Sequence, residues 1–430
     1  MTNLTGGAPM QTNRYDRRSM LKYTAGLGLS FALPGLDYRA TQMRGDKRPK
    51  TLIVLWLSGG PSQLETWDPH PDSSIGGPTR SIDTSIRGVE IADSFPLLAD
   101  QMHRLSIIRS LVSKEGDHDR ATYLVRTGYR PDQTLRHPSA GAIVAKELPN
   151  PDLEIPAVIA LGYHHEHDRP RGGYLGADYD AFEIREPGWH DGNPGLHVPN
   201  ERQTRRLSNL EIVSRAFRRG REATVARTMH QQTVDAAMRM MTSEQQRAFS
   251  IDDEAQATRD AYGDGNFGRG CLVARRLVEQ GVRAIEVTHE NYDSHSNNFD
   301  THKKNALVLD RAFAALIGDL HDRDLLDSTV LLCIGEFGRT PKINGADGRD
   351  HWPSGFSCLV GGGGLRPGEV IGSTDPSGES KHPHDPIQVA DLYATIFKTM
   401  GIDPAYQVVT PIGRPMRYSS GAPIERLLPG

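Results

Sequence analysis

Cysteine is nearly absent. The 430 residues contain Cys271, Cys333 and Cys358 alone, which rules out a disulfide framework. Each lies in an apolar run, where a thiol serves as a small buried hydrophobe. Excess charge of either sign is also missing. Lys and Arg number 50 against 54 Asp and Glu, a net charge of −4, so no clustered basic face is on offer and nucleic acid is excluded as a partner class. The apolar stretch from Tyr23 to Leu36 is broken by Gly26, Gly28 and Gly35, and it falls short of the roughly 20 residues that cross about 30 Å of hydrocarbon. Tandem repeats and low-complexity tracts are lacking, which sets aside solenoids and linker arrays. A dinucleotide fingerprint does not follow the first strand candidate, and no helical pattern follows Gly361–Gly364. A redox enzyme built on a nucleotide-binding turn therefore finds little support.

What the chain has in quantity is glycine (44) and proline (28), more than a globular average, so many loops are expected. At 37% hydrophobic and 24% charged residues, it can still bury a core. Near the N-terminus, Asp16-Arg17-Arg18-Ser19-Met20-Leu21-Lys22 precedes the apolar stretch, the pattern of a twin-arginine export signal. Ser30-Phe31-Ala32 offers a small-x-small cleavage site. Residues 1–32 are thus expected to be removed, leaving a mildly acidic periplasmic or extracytoplasmic protein without a stable membrane span; retention as an uncleaved anchor is the alternative. This route carries folded proteins, often with cofactors loaded, which suits a metallated passenger.

From residue 51 onward, short apolar runs alternate with helical periods, as in an α/β domain whose mostly parallel sheet is covered on both faces. The strand candidates are Thr51–Leu57, Leu105–Ile108, Pro156–Leu161, Arg283–Thr288, Thr329–Ile334 and Phe356–Val360. Leu309, Phe313, Leu316 and Leu320 form one helical stripe, and Val389, Leu392, Tyr393, Ile396, Phe397 and Met400 another. Asp385-Pro386 reads as the start of the second helix and Gly401 as its stop. Residues 162–260 are polar and Gly- and Pro-rich, then Arg-rich and helical. They read as an insertion in a single domain spanning 45–430.

Ligands of open α/β sheets gather beyond the carboxyl ends of the strands, so the loops there are the expected seat of the chemistry. After the first strand, Ser58-Gly59-Gly60-Pro61-Ser62 offers Ser62 as a nucleophile, with Asp68 further on as a ligand or base; a turn with a capping serine fits equally. After the 283–288 run, Asp293 and His295 supply a hard oxygen and an imidazole on one loop, a metal-site pair. Next to the 329–334 run, Glu336 and Arg339 emerge together, a costly arrangement unless they serve a ligand or pair with each other. Asp350-His351 adds a second carboxylate–imidazole pair just before a strand. Asp117-His118-Asp119-Arg120 leads into a helix whose first-turn amides, with Arg120, suit an oxyanion. The run His164-His165-Glu166-His167-Asp168 has metal-like composition but sits in the polar insertion, where a solvated loop is the better reading.

Taken in order, LSGGPSQLETWDPHP (57–71), CLVARRLVEQGVRAIEVT (271–288), YDSHSNNF (292–299), GEFGRTPKIN (335–344), GRDHWP (348–353), VGGGGLRPGEVIGSTD (360–375) and DLYATI (391–396) resemble the exported bacterial family known as domain of unknown function 1501. Tyr292 stands where that family usually shows Trp. The family is in turn distantly similar to the alkaline phosphatase and sulfatase superfamily: IGEFG (334–338) resembles its Ser-Asp-His-Gly metal loop, and DLYATIFKTMGIDP (391–404) its closing helix. HDRATYLVRTGYRP (118–131) resembles the sulfatase activation motif through its Arg-Ala and Thr-Gly. The resemblance implies a three-layer α/β sandwich with divalent metals at strand ends. The departures matter for mechanism. Phe337 replaces the histidine of the metal loop, no aspartate pair ends the first strand, and the activation motif lacks its cysteine or serine.

The expectation is therefore an exported, metal-dependent hydrolase of a phosphate or sulfate ester, small or glycan-borne. Asp293, His295, Glu336 and His351 hold one or two cations, and Asp350 belongs to the same metal site and orients a ligand. Ser62, His118, Arg120 and Arg339 are the catalytic candidates, the two arginines gripping the anion. A cation-activated water is preferred to Ser62 as the attacking group. Zinc, manganese, calcium and magnesium are not distinguished by such a donor set. The rival is a non-catalytic secreted binding protein on the same fold.

Overall fold

Thr51–Leu57 is buried at nearly every position, and the chain is organised around it. In the computed structural model, which describes residues 50–162, 169–188, 239–240 and 243–429, this strand (β1) lies inside a nine-stranded sheet. The export-signal region, the His164–Asp168 run and most of the Arg-rich stretch lie outside the described residues. The other strands are β2 (Leu105–Val112), β3 (Val158–Leu161), β4 (Phe182–Ile184), β5 (Ala284–His289), β6 (Thr329–Ile334), β7 (Phe356–Gly362), β8 (Val370–Ile371) and β9 (Ile387–Gln388). Their spatial order is β8-β2-β7-β6-β1-β5-β3-β4, with β9 also pairing β2. Every pairing is parallel except those of β7, which runs against β2 and β6. All six strand candidates belong to this sheet. β4 adds a short edge strand from within the segment read as an insertion.

Alternation along β1 explains the layers, because successive side chains point to opposite faces. Ile53, Leu55 and Leu57 join one core with Cys271, Leu277, Phe313 and Leu316. Leu52 and Trp56 join the other with Val125, Ile143, Ile396 and Phe397. One face is thus covered by α3 (Asn266–Glu279) and α4 (Asn298–Asp322), the other by α1 (His118–Thr127), α2 (Ala140–Glu147) and α5 (Val389–Thr399). This is a three-layer α/β sandwich with a mostly parallel sheet. The three cysteines are free and buried, as the apolar runs around them implied.

One boundary differs from the sequence reading. α5 starts at Val389 behind a capping box made by Gln388 and Asp391, not at Asp385-Pro386. Ile387 and Gln388 are taken up as a strand opposite Leu111 and Val112, so the helix starts three residues later than the Asp-Pro signal suggests. Asp385 instead occupies a left-handed turn at φ 52°.

Candidate functional site

The sheet itself brings the loops together. β1, β5 and β6 end level, since Leu57 stands opposite His289 and Trp56 opposite Ile334. Their following loops carry Gly59, Asp293 and His295, and Glu336. β2 runs the same way and leads to His118 at the start of α1. β7 runs backwards, so the segment entering it, with Asp350 and His351, reaches that same edge. Five consecutive strands, β2-β7-β6-β1-β5, therefore deliver side chains to one rim.

Here six of the sequence-predicted residues form one connected cluster. His118 Nδ1 lies 2.8 Å from Glu336 Oε1, and its Nε2 lies 3.5 Å from Asp293 Oδ2. His295 Nδ1 is 3.0 Å from Asp350 Oδ1. His351 Nδ1 is 2.8 Å from the Gly116 carbonyl. The Nε2 atoms of His295 and His351 face each other at 2.9 Å, and each is 3.3 to 3.4 Å from Asp293 Oδ1.

Carboxylates and carbonyls only accept, so all three histidines donate from Nδ1 and turn Nε2 inward. The Nε2 atoms of His295 and His351, 2.9 Å apart, repel unless a proton or a cation lies between them. The 3.3 to 3.5 Å separations of the three Nε2 atoms from Asp293 match donor atoms bonded at about 2.0–2.2 Å around one tetrahedral ion, which stand roughly 3.3–3.6 Å apart. His118, Asp293 and His351 each offer an atom within 4.8 Å of the others. An acceptor behind every imidazole is the usual support of a metal-binding histidine, fixing the ring and raising its basicity.

Electrostatics grade from a buried floor to an open mouth. Glu336 is 2% exposed and Arg339 0%, whereas the Asp293 side chain is 47% exposed and that of Asp350 60%. The hydrogen bond that His118 donates to Glu336 raises the pKa of His118. Burial raises that of Asp293, but the Arg339 hydrogen bond and charge outweigh it and hold the carboxyl low. His295 lowers Asp350 through its hydrogen bond, and burial lowers His351.

Other expected residues take different places. Glu336 spends Oε1 on His118 and on the Gly59 N–H at 2.8 Å, so it sits behind a histidine rather than in the ring of donors. His118, expected to assist an oxyanion, stands in that ring. Arg339 has no free fork for an anion: it donates to Gly60 O at 2.9 Å, Arg349 O at 3.1 Å, Tyr292 O at 3.3 Å, Gly59 O, and Asp293 Oδ1 at 2.6 Å. Buried guanidinium requires this saturation, and the result is a clamp across three loops. Arg120 pairs with Glu115 at 2.7 and 3.0 Å. Asp68 is a buried acceptor for the Thr374 N–H at 2.6 Å. Ser62 is wholly buried, and its Oγ has no hydrogen-bond partner.

Sequence reading missed His302 and the Gly116 carbonyl. His302 is buried on α4, accepts the Ser62 N–H at 2.8 Å and approaches Asn298 O at 2.9 Å. A lone histidine on an apolar helix stripe gives little signal, and a backbone carbonyl gives none.

Fold and cluster together define a mostly parallel α/β sandwich with a histidine–carboxylate centre at the carboxyl edge of its sheet. The chain belongs to the family described as Protein of unknown function (DUF1501), which it matches over residues 49–428. Comparison with curated proteins finds no match. Among solved structures, the chain is similar to the lipoteichoic acid synthase LtaP from Listeria monocytogenes, at 10% identity and TM-score 0.42, over 89% of this chain and 80% of that one. It is also similar to a protein in the alkaline phosphatase superfamily from Vibrio parahaemolyticus, at 12% identity and TM-score 0.37, over 83% and 67%. The C-terminal periplasmic domain of EcEptC from Escherichia coli, in complex with Zn, is similar at 10% identity and TM-score 0.38, over 89% and 96%.

Proposed function

We propose that the protein is an exported hydrolase of phosphate or sulfate esters that works with one divalent cation held by His118, Asp293, His295 and His351. The observation that carries this reading is the convergence of three imidazole Nε2 atoms on one carboxylate, each ring backed at Nδ1 by its own acceptor. A divalent cation in such a ring supplies Lewis-acid activation of water and of an ester oxygen. The chain's own residues do the rest. Glu336, Asp350 and the Gly116 carbonyl hold the three rings in their Nδ1–H tautomers, while Arg339 pins Asp293 from below and leaves the half-exposed face open to an ester.

Ser62 is a poor nucleophile here. His302 spends Nε2 on the Ser62 backbone N–H, and Ser62 Oγ has no hydrogen-bond partner among the described residues, so activated water is the better attacking group. Among the described residues no helix is long and apolar enough to cross a membrane.

The test is elemental analysis of the purified protein together with assays on aryl phosphates and aryl sulfates. We expect about one cation per chain, lost in His295→Ala and His351→Ala together with hydrolysis, and both retained in Ser62→Ala. Absence of stoichiometric metal, or metal content unmoved by the histidine substitutions, overturns the proposal. Metal without turnover of either ester class favours a binding protein instead.

A further inference from the structure

The helix that carries His118 has a second use. Asp119, Thr122, Tyr123, Arg126 and Thr127 recur on one face of α1, and that face walls a cavity of about 430 Å³. Such a volume lies in the usual range of small-ligand sites, about 300–1,000 Å³. The rest of the charged wall is mostly cationic, Asp132 there being engaged by Thr134 and Arg414. Arg136, Arg169 and Arg171 line it, and the Nε atoms of Arg169 and Arg171 are buried with no hydrogen-bond partner among the described residues. Arg171 otherwise reaches only Asp180, at 3.3 Å from NH1, and Arg136 is exposed. The arginines that line the cavity offer the planar fork that matches an oxyanion.

The remaining lining is suited to hydroxyl groups and a ring face. The His137 N–H donates to Tyr123 Oη at 2.7 Å, and that hydroxyl lies 2.8 Å from His137 Nδ1. The His137 ring also stacks on Tyr129 at 4.5 Å and 6°. Tyr123 and His137 are thereby locked in place before any ligand arrives, while Asp119 provides a free carboxylate. His118 and Asp119 are consecutive residues in the first turn of α1, so one helix start supplies both the cation ring and the cavity wall.

We infer that this cavity binds an anionic sugar unit, one bearing sulfate, phosphate or carboxylate, adjacent to the ester presented to the cation ring. The adjacency rests on the hydrolase reading; the binding does not. Calorimetric titration of the purified protein with galactose 6-sulfate, galactose 6-phosphate, galacturonate, neutral galactose and inorganic sulfate tests it and identifies which oxyanion is preferred. At least one anionic sugar is expected to bind tenfold or more tighter than both galactose and inorganic sulfate. Arg136→Ala and Arg169→Ala are each expected to weaken it about ten- to a hundredfold, the usual effect of losing a charged hydrogen bond, at unchanged melting temperature. His351→Ala is expected to lose metal and keep the sugar. Equal binding of galactose or of bare sulfate, or wild-type affinity in both arginine variants, overturns the inference. If that happens while metal remains stoichiometric, the cation site stands without the cavity. Sugar binding by a protein that holds no metal removes the hydrolase reading and leaves the cavity.

Discussion

At the residue scale, the informative atom is the histidine nitrogen that points away from the cluster. Glu336 acts through His118, so its removal should loosen the cation without dissolving the fold. Glu336→Gln is expected to lower cation affinity about 10- to 100-fold, the usual cost of an outer-shell change, as read by competition with a chelator, with little change in circular dichroism. Unchanged affinity would show that the His118–Glu336 contact does no orienting. This role was only partly legible. A carboxylate and an imidazole on separate loops announce a site by their chemistry, but their order, ligand first and carboxylate behind, is set by a difference of a few ångströms that spacing does not encode. His118 was noticed for its place at a helix start and not for its reach. Arg339 misled for the same reason: a guanidinium at a strand end looks available until the loops fold over it.

At the scale of elements, the strands were the most readable part. Continuous apolar runs such as Thr329–Ile334 mean burial on both faces, and that follows from composition alone. Turn detail was less readable, as the start of α5 shows, because pairing with β2 overrides a local capping signal. Gly59 illustrates how tightly the loops meet. It sits at φ +110°, and a Cβ there would stand 2.4 Å from the Asp293 backbone nitrogen, a conformation and an approach that L side chains do not tolerate. Gly59→Ala should therefore push the Asp293 loop outward, with cation content falling sharply while the sheet core persists. Full metal occupancy in that variant would mean that the two loops move apart without cost to the ring.

At the scale of the whole molecule, the proposed cation would tie together the segments that follow β2 and β5 and the one that precedes β7. Anything that binds only the folded state stabilises it, by about 2.7 kcal/mol when free ligand exceeds its dissociation constant a hundredfold. Dialysis against a chelator is expected to lower the melting temperature, and a suitable divalent ion should restore it. His351→Ala should abolish the difference between the two conditions, and a midpoint indifferent to chelation would exclude a bridging ion. The single reversed strand has a further consequence. β7 is inserted between β2 and β6 although it comes late in the chain, so a nascent polypeptide lacks both His351 and the wedge that closes the sheet until more than four-fifths of it has been synthesised. On the proposed reading a cation could be captured only late, once the segment that enters β7 has been synthesised and has joined the sheet.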